Sequence, residues 1–231
     1  MLEMMKKQGF RPRSCVWELT LRCNMSCLHC GSRAGEPRED ELSIDELLSL
    51  ADELAELGCK YVTLSGGEPL VRRDWPVLAK RLVDHGVAVN MISNGFIFTE
   101  KTLEMAKAVG LRNVAFSVDG DQAIHDKIRN KKDAYARVMR AIDVCVKNDY
   151  PVSVVSHVTN ANLGMLEEMA ETFADLGVRA WQVQGGFEAG NLSDHPELMP
   201  RPRDLIRIES ELARLAATSP IRLHVSDSIG Y

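Results

Sequence analysis

Along this chain, short apolar runs alternate with longer stretches in which apolar residues recur at helical spacing. The short runs predict strands at 14–20, 60–65, 87–93, 113–118, 152–158 and 179–184, with a seventh candidate at 221–226. Several, such as Val152-Ser153-Val154-Val155, are almost continuously apolar or β-branched, as expected where helices cover a parallel sheet. The stretches between them read as amphipathic helices with defined ends. Ser43 followed three residues later by Glu46 predicts a capping box, and Ile44, Leu47, Leu48, Ala51, Leu54 and Ala55 form the stripe behind it. Asp74, Thr99, Asp133 and Asn162 are the N-caps predicted for later helices, and Gly58, Gly86, Gly110 and Gly177 are the stops. Six β-α units in a row, joined by right-handed crossovers, predict an α/β fold whose parallel strands curl into an open barrel.

Composition narrows the picture modestly. A chain of 231 residues, 45% apolar and 26% charged, has room for one sizeable core and reads as one domain. Its net charge of −5 leaves no basic footprint, which argues against nucleic acid as a partner. No apolar run approaches the ~20 residues that cross a bilayer, and the first ten residues hold no apolar core of signal-peptide length. The expected setting is therefore the cytoplasm, without membrane contact and with reduced cysteines.

Of the six cysteines, Cys15 and Cys59 sit in strands and Cys145 lies on the stripe Tyr135, Val138, Ile142, Val146, where all three read as small core residues. The other three carry chemistry. Cys23, Cys27 and Cys30, spaced C-x3-C-x2-C directly after the first strand, offer three thiolates from one loop. Three soft ligands with one vacancy suit an iron–sulfur cluster that keeps one iron open. A zinc knuckle would need a fourth ligand, from His29 or from elsewhere in the chain. The second strand ends Ser65-Gly66-Gly67-Glu68-Pro69, and an ordinary strand-to-helix turn would explain the glycines and the proline but not the acid among them.

Together, the cysteine loop and the Gly66-Gly67-Glu68-Pro69 turn resemble the radical S-adenosylmethionine (radical SAM) superfamily, over roughly residues 12–231. His29, in the aromatic position of the cysteine motif, resembles the branch that carries a C-terminal cysteine-rich SPASM or twitch extension. The resemblance implies a partial (β/α)6 TIM-like barrel, with a tail at 1–12, the barrel at 12–184 and a C-terminal connection at 185–231. It implies a [4Fe–4S] cluster on Cys23, Cys27 and Cys30, with SAM chelating the open iron. One electron would split SAM into methionine and a 5′-deoxyadenosyl radical, which takes hydrogen from a substrate C–H bond. An electron donor of flavodoxin or ferredoxin type is implied as a partner.

Further candidates lie at strand ends, where parallel barrels place their functional groups. The resemblance puts the methionyl amine of SAM on the turn that carries Glu68, and SAM-contacting polar groups at Ser93 and Asn94. Ser117 and Asp119 alternate across strand four, so both can face the barrel and suit a ribose diol; Asp119-Gly120 is equally an ordinary turn signal. In His125-Asp126-Lys127-Ile128-Arg129-Asn130, Arg129 is the candidate clamp for the SAM carboxylate, Asn130 replaces a family glycine, and His125 caps or packs. His157, Gln182 and Gln184 either line the barrel toward adenine or substrate or satisfy barrel polar groups. No residue stands out as a substrate acid or base.

The long connection 185–203 is predicted irregular, a length typical of functional loops. The ending His224-Val225-Ser226-Asp227-Ser228-Ile229-Gly230-Tyr231 resembles the segment that leads into a SPASM domain. The expectation is a fragment, or a barrel whose remainder lies on another polypeptide. Peptide or protein modification is the expected function. A radical SAM step in small-molecule or cofactor biosynthesis is the first alternative, and a non-catalytic metal-binding module the second.

Overall fold

A computed structural model of the chain describes residues 11–186 and 188–226, with Glu3, Lys7 and Gly9. Seven strands form one sheet in chain order: β1 (Ser14–Glu18), β2 (Tyr61–Ser65), β3 (Ala88–Ser93), β4 (Asn113–Ser117), β5 (Val152–Val158), β6 (Ala180–Gly185) and β7 (Arg222–Ser226). Every neighbouring pair is parallel. The sheet curls into a half-barrel that stays open between β1 and β7, since β1 pairs with β2 and β7 with β6. The outer layer comprises α1 (Ile44–Glu56), α2 (Trp75–Asp84), α3 (Glu100–Ala108), α4 (Gln122–Ile128), α5 (Ala134–Lys147), α6 (Leu166–Asp175) and α7 (Pro202–Thr218).

Strand alternation separates core from site. Val62, Leu64, Val89, Met91, Phe116, Val154, Trp181 and Val183 point toward the helices and are buried. Their neighbours Thr63, Ser65, Asn90, Ile92, Ser117, His157, Gln182 and Gln184 point inward and are only half-buried. One connected apolar core therefore lies between sheet and helices, while the concave face is polar and reachable. Cys59 and Cys145 belong to that core and Cys15 packs against it. Among the described residues, no helix is long and apolar enough to cross a membrane.

The capping box of Ser43 and Glu46 forms, and Thr99 caps α3 with Thr102 as its reciprocal partner. Three predicted caps behave differently. Asp74 makes no cap bond, because Arg72 Nε takes its carboxylate at 2.8 Å. Asp133 adopts φ 64° and makes no cap bond either; Asp126 accepts from the N–H groups of Asp133 and Tyr135 and so serves α5 from the preceding helix. Asn162 lies before the start of α6, whose N-cap is Met165. Its amide is spent on the barrel, with Nδ2 donating to the carbonyls of Asp119 and His157 at 2.8 Å each. The seventh strand forms and pairs with β6, so the sheet runs past residue 184, and a boundary there falls inside β6. The long connection carries two short 3-10 turns, Gly190–Asp194 and Pro196–Leu198.

Candidate metal and cofactor site

The chain leaving β1 crosses the end of β2 before it reaches the cysteines. Leu19 N–H donates to Ser65 O at 3.0 Å, Gly67 N–H to Thr20 O at 2.7 Å and Glu68 N–H to Arg22 O at 3.0 Å. A Cβ on Gly66 or Gly67 would fall within 3.0 Å of the Thr20 or Arg22 carbonyl, and Gly66 adopts φ 134°. The glycines thus make room for the chain's own backbone. Buried Pro69 opens the 3-10 turn that follows.

Cys23, Cys27 and Cys30 then line one cavity of about 130 Å³, together with Gly66, Ser93 and Arg129 among others. All three are free thiols. Burial pushes Cys23 up to about 11 and raises Cys27, where Arg129 acts in the opposite direction. Loading with a metal must therefore release protons. Among the described residues, no three His, Cys, Asp or Glu side chains converge as ligands of a single ion do. Three thiols spread around one cavity fit a polynuclear cluster in which each cysteinate takes its own iron.

Glu68 is buried behind this wall. Its carboxylate accepts from Ser93 Oγ at 2.9 Å, Leu70 N–H at 3.1 Å and Asn94 N–H at 2.8 Å. Burial pushes it up to about 7, against the pull of those donors. The Asn94 side chain turns back to the cysteine loop, with Nδ2 donating to Asn24 Oδ1 at 2.7 Å.

Opposite lies a second buried carboxylate. Asp119 Oδ2 accepts from Arg129 Nε at 2.6 Å and pairs with His29 Nε2 at 3.2 Å, while Oδ1 accepts from His157 N–H at 3.0 Å. Burial acts to raise it, and Arg129 and His29 together hold it well below the usual carboxylate range. Both Asp119 oxygens accept from the protein's own groups, and the side chain has no exposed surface. His125 packs as expected: its Nδ1 accepts from Asp119 N–H at 3.1 Å. His29 and His157 rings lie 4.8 Å apart, and burial lowers His157 to about 3, so it is neutral near pH 7. Among the described residues, buried His29 Nδ1 and His157 Nε2 have no hydrogen-bond partner.

Ser117, His157, Gln182 and Gln184 border a wider cavity of about 450 Å³ that adjoins the first through His29, Cys30 and Arg129. Gln182 Nε2 donates to Ser226 Oγ at 2.9 Å and to Gln184 Oε1 at 3.3 Å, linking β6 to β7. Sequence reasoning missed Asn191. From the long connection its backbone N–H donates to Cys30 O and its Nδ2 to Cys27 O, both at 2.9 Å. The signal was the loop's length; nothing local marks which residue reaches across.

A family model described as the radical SAM superfamily matches residues 17–177. The chain belongs to the radical SAM superfamily. Radical SAM proteins use a [4Fe–4S] cluster and SAM, which accords with the three-thiol cavity. The AdoMet-dependent heme synthase of Methanosarcina barkeri is 34% identical over 191 residues, covering 82% of this chain and 55% of that protein. The mycofactocin maturase MftC of Mycolicibacterium smegmatis is 34% identical over 169 residues, covering 72% and 43% respectively. Streptococcus suis SuiB, solved with S-adenosylmethionine, superposes with a TM-score of 0.81 over 98% of this chain and 53% of its own, at 13% identity. That last likeness concerns the fold alone. The chain spans about half the length, or less, of the curated relatives it matches.

Proposed function

We propose that Cys23, Cys27 and Cys30 hold a [4Fe–4S] cluster, and that the chain acts in peptide or protein modification by reductive cleavage of SAM. The observation that carries this is the cavity at the barrel mouth, lined by three thiols and no fourth. Bound there, a cluster would supply the electron that splits SAM into methionine and a 5′-deoxyadenosyl radical. The chain's own residues bind and orient. The turn Gly66-Gly67-Glu68-Pro69 would hold the SAM amine, with Glu68 fixing Ser93 and Asn94 beside it. Arg129 would hold the SAM carboxylate and Ser117 the ribose. His29, His157 and Gln184 border the adenine or substrate side of the wider cavity.

Kinship with the maturase supports a peptide substrate; kinship with the heme synthase, over more of this chain, supports a small-molecule alternative. The reading includes a cytoplasmic setting and a small flavodoxin or ferredoxin as electron donor. Anaerobically reconstituted protein under dithionite is expected to form 5′-deoxyadenosine slowly, and Glu68→Ala to weaken SAM binding in calorimetry. Absence of 5′-deoxyadenosine from fully loaded protein would refute the cleavage.

A further inference from the structure

The end of α4 is stitched to the cysteine loop by three successive contacts. Ile128 O accepts from Leu28 N–H at 2.9 Å, Arg129 Nη1 reaches Cys27 Sγ at 4.0 Å, and Asn130 Nδ2 donates to Ser26 Oγ at 3.1 Å. Residues 128, 129 and 130 thus meet 28, 27 and 26 in antiparallel order, centred on one thiol. The guanidinium has little freedom to leave that position. Its Nε is held by Asp119, which is itself fixed by His29, by the His157 N–H and, through its own carbonyl, by Asn162. Arg129 is only 12% exposed, and so meets Cys27 with limited screening by water.

We infer that Arg129, clamped by Asp119, is a positioning residue for Cys27 that sets the reduction potential of the cluster. This rests on the cluster reading given above. Reduction adds negative charge to the cluster and its cysteinates, and a fixed cation donating an N–H to one of those sulfurs stabilises the reduced form. Loss of the guanidinium therefore moves the midpoint to more negative potential, independently of any contact Arg129 makes with SAM.

The test is a redox titration followed by EPR, without SAM, on wild type, Arg129→Met and Arg129→Lys, each matched for iron and sulfide content. The methionine variant is expected at a more negative midpoint than wild type. The lysine variant, which keeps the charge but cannot donate to Asp119 and Cys27 in the same fork, is expected between them. An unchanged midpoint in a fully loaded variant would overturn the inference. Should neither variant hold iron, wild type grown with 15N-guanidino arginine decides. A nitrogen coupling in pulsed EPR of the reduced protein is expected, and its absence overturns the inference. Wild type that takes up no cluster would instead refute the function reading.

Discussion

Two carboxylates are fully buried at the barrel mouth, Glu68 after β2 and Asp119 after β4, and their surroundings make them opposites. Glu68 is met by neutral donors, from Ser93 Oγ and the N–H groups of Leu70 and Asn94, and burial still carries it up to about 7. Asp119 suffers the same burial but lies against Arg129 and His29, and stays well below its ordinary range. Hydrogen bonds from neutral groups do not keep a buried acid ionised here; a fixed cation does. Asp119 is thus a permanent charge on which Arg129 and the cysteine loop are built, while Glu68 changes charge near neutrality.

The largest effect follows from breaking the charged side. Asp119→Ala leaves the Arg129 guanidinium buried without its anion, and urea unfolding is expected to show a loss of about 3–5 kcal/mol. A loss below about 1 kcal/mol would mean that water reaches the pair, as at a surface ion pair.

The neutral side is exposed by pH. Between about 4.5 and 7, folded protein retains a Glu68 proton that the unfolded chain has released. The contribution of Glu68 to stability therefore falls as pH rises through that window, by about 3 kcal/mol. Asp119 runs the other way: its contribution is present above the unfolded value of 3.8 and is lost as pH falls below it. Glu68→Gln is expected to flatten the slope between pH 4.5 and 7 in unfolding titrations, and an unaltered slope would assign it to another group.

A smaller change sharpens the contrast further. Ser93→Ala removes one donor from Glu68 and is expected to cost about 1–2 kcal/mol and to move the Glu68 titration upward, seen by NMR of the labelled carboxyl carbon. Asn191→Ala, outside both networks, is expected to cost about 1 kcal/mol by urea unfolding and to speed hydrogen exchange in the cysteine loop, with the pH slope untouched.

The difference between the two carboxylates was largely invisible in the sequence. Both were legible as acids at strand ends, because strand periodicity and turn glycines act locally. The strands, and the capping box at Ser43 and Glu46, were readable for the same reason. What surrounds each acid comes from distant segments. Arg129 and His29 meet Asp119 from two different loops, and Ser93 meets Glu68 from the neighbouring strand. Asp133 holds its predicted N-cap position without a cap bond, which Asp126 supplies instead, and Asn162 caps no helix because the barrel takes its amide. Asn191 reaches Cys27 across 164 positions, a separation at which one sequence carries no pairing signal.

The central claim, that three thiols at the mouth hold a [4Fe–4S] cluster, is tested most directly by counting metal. After anaerobic reconstitution and desalting, wild type is expected to carry about four irons and as many sulfides per chain, and the Cys23→Ala, Cys27→Ala, Cys30→Ala triple variant close to none. Retention of about four irons per chain by that variant would contradict the account.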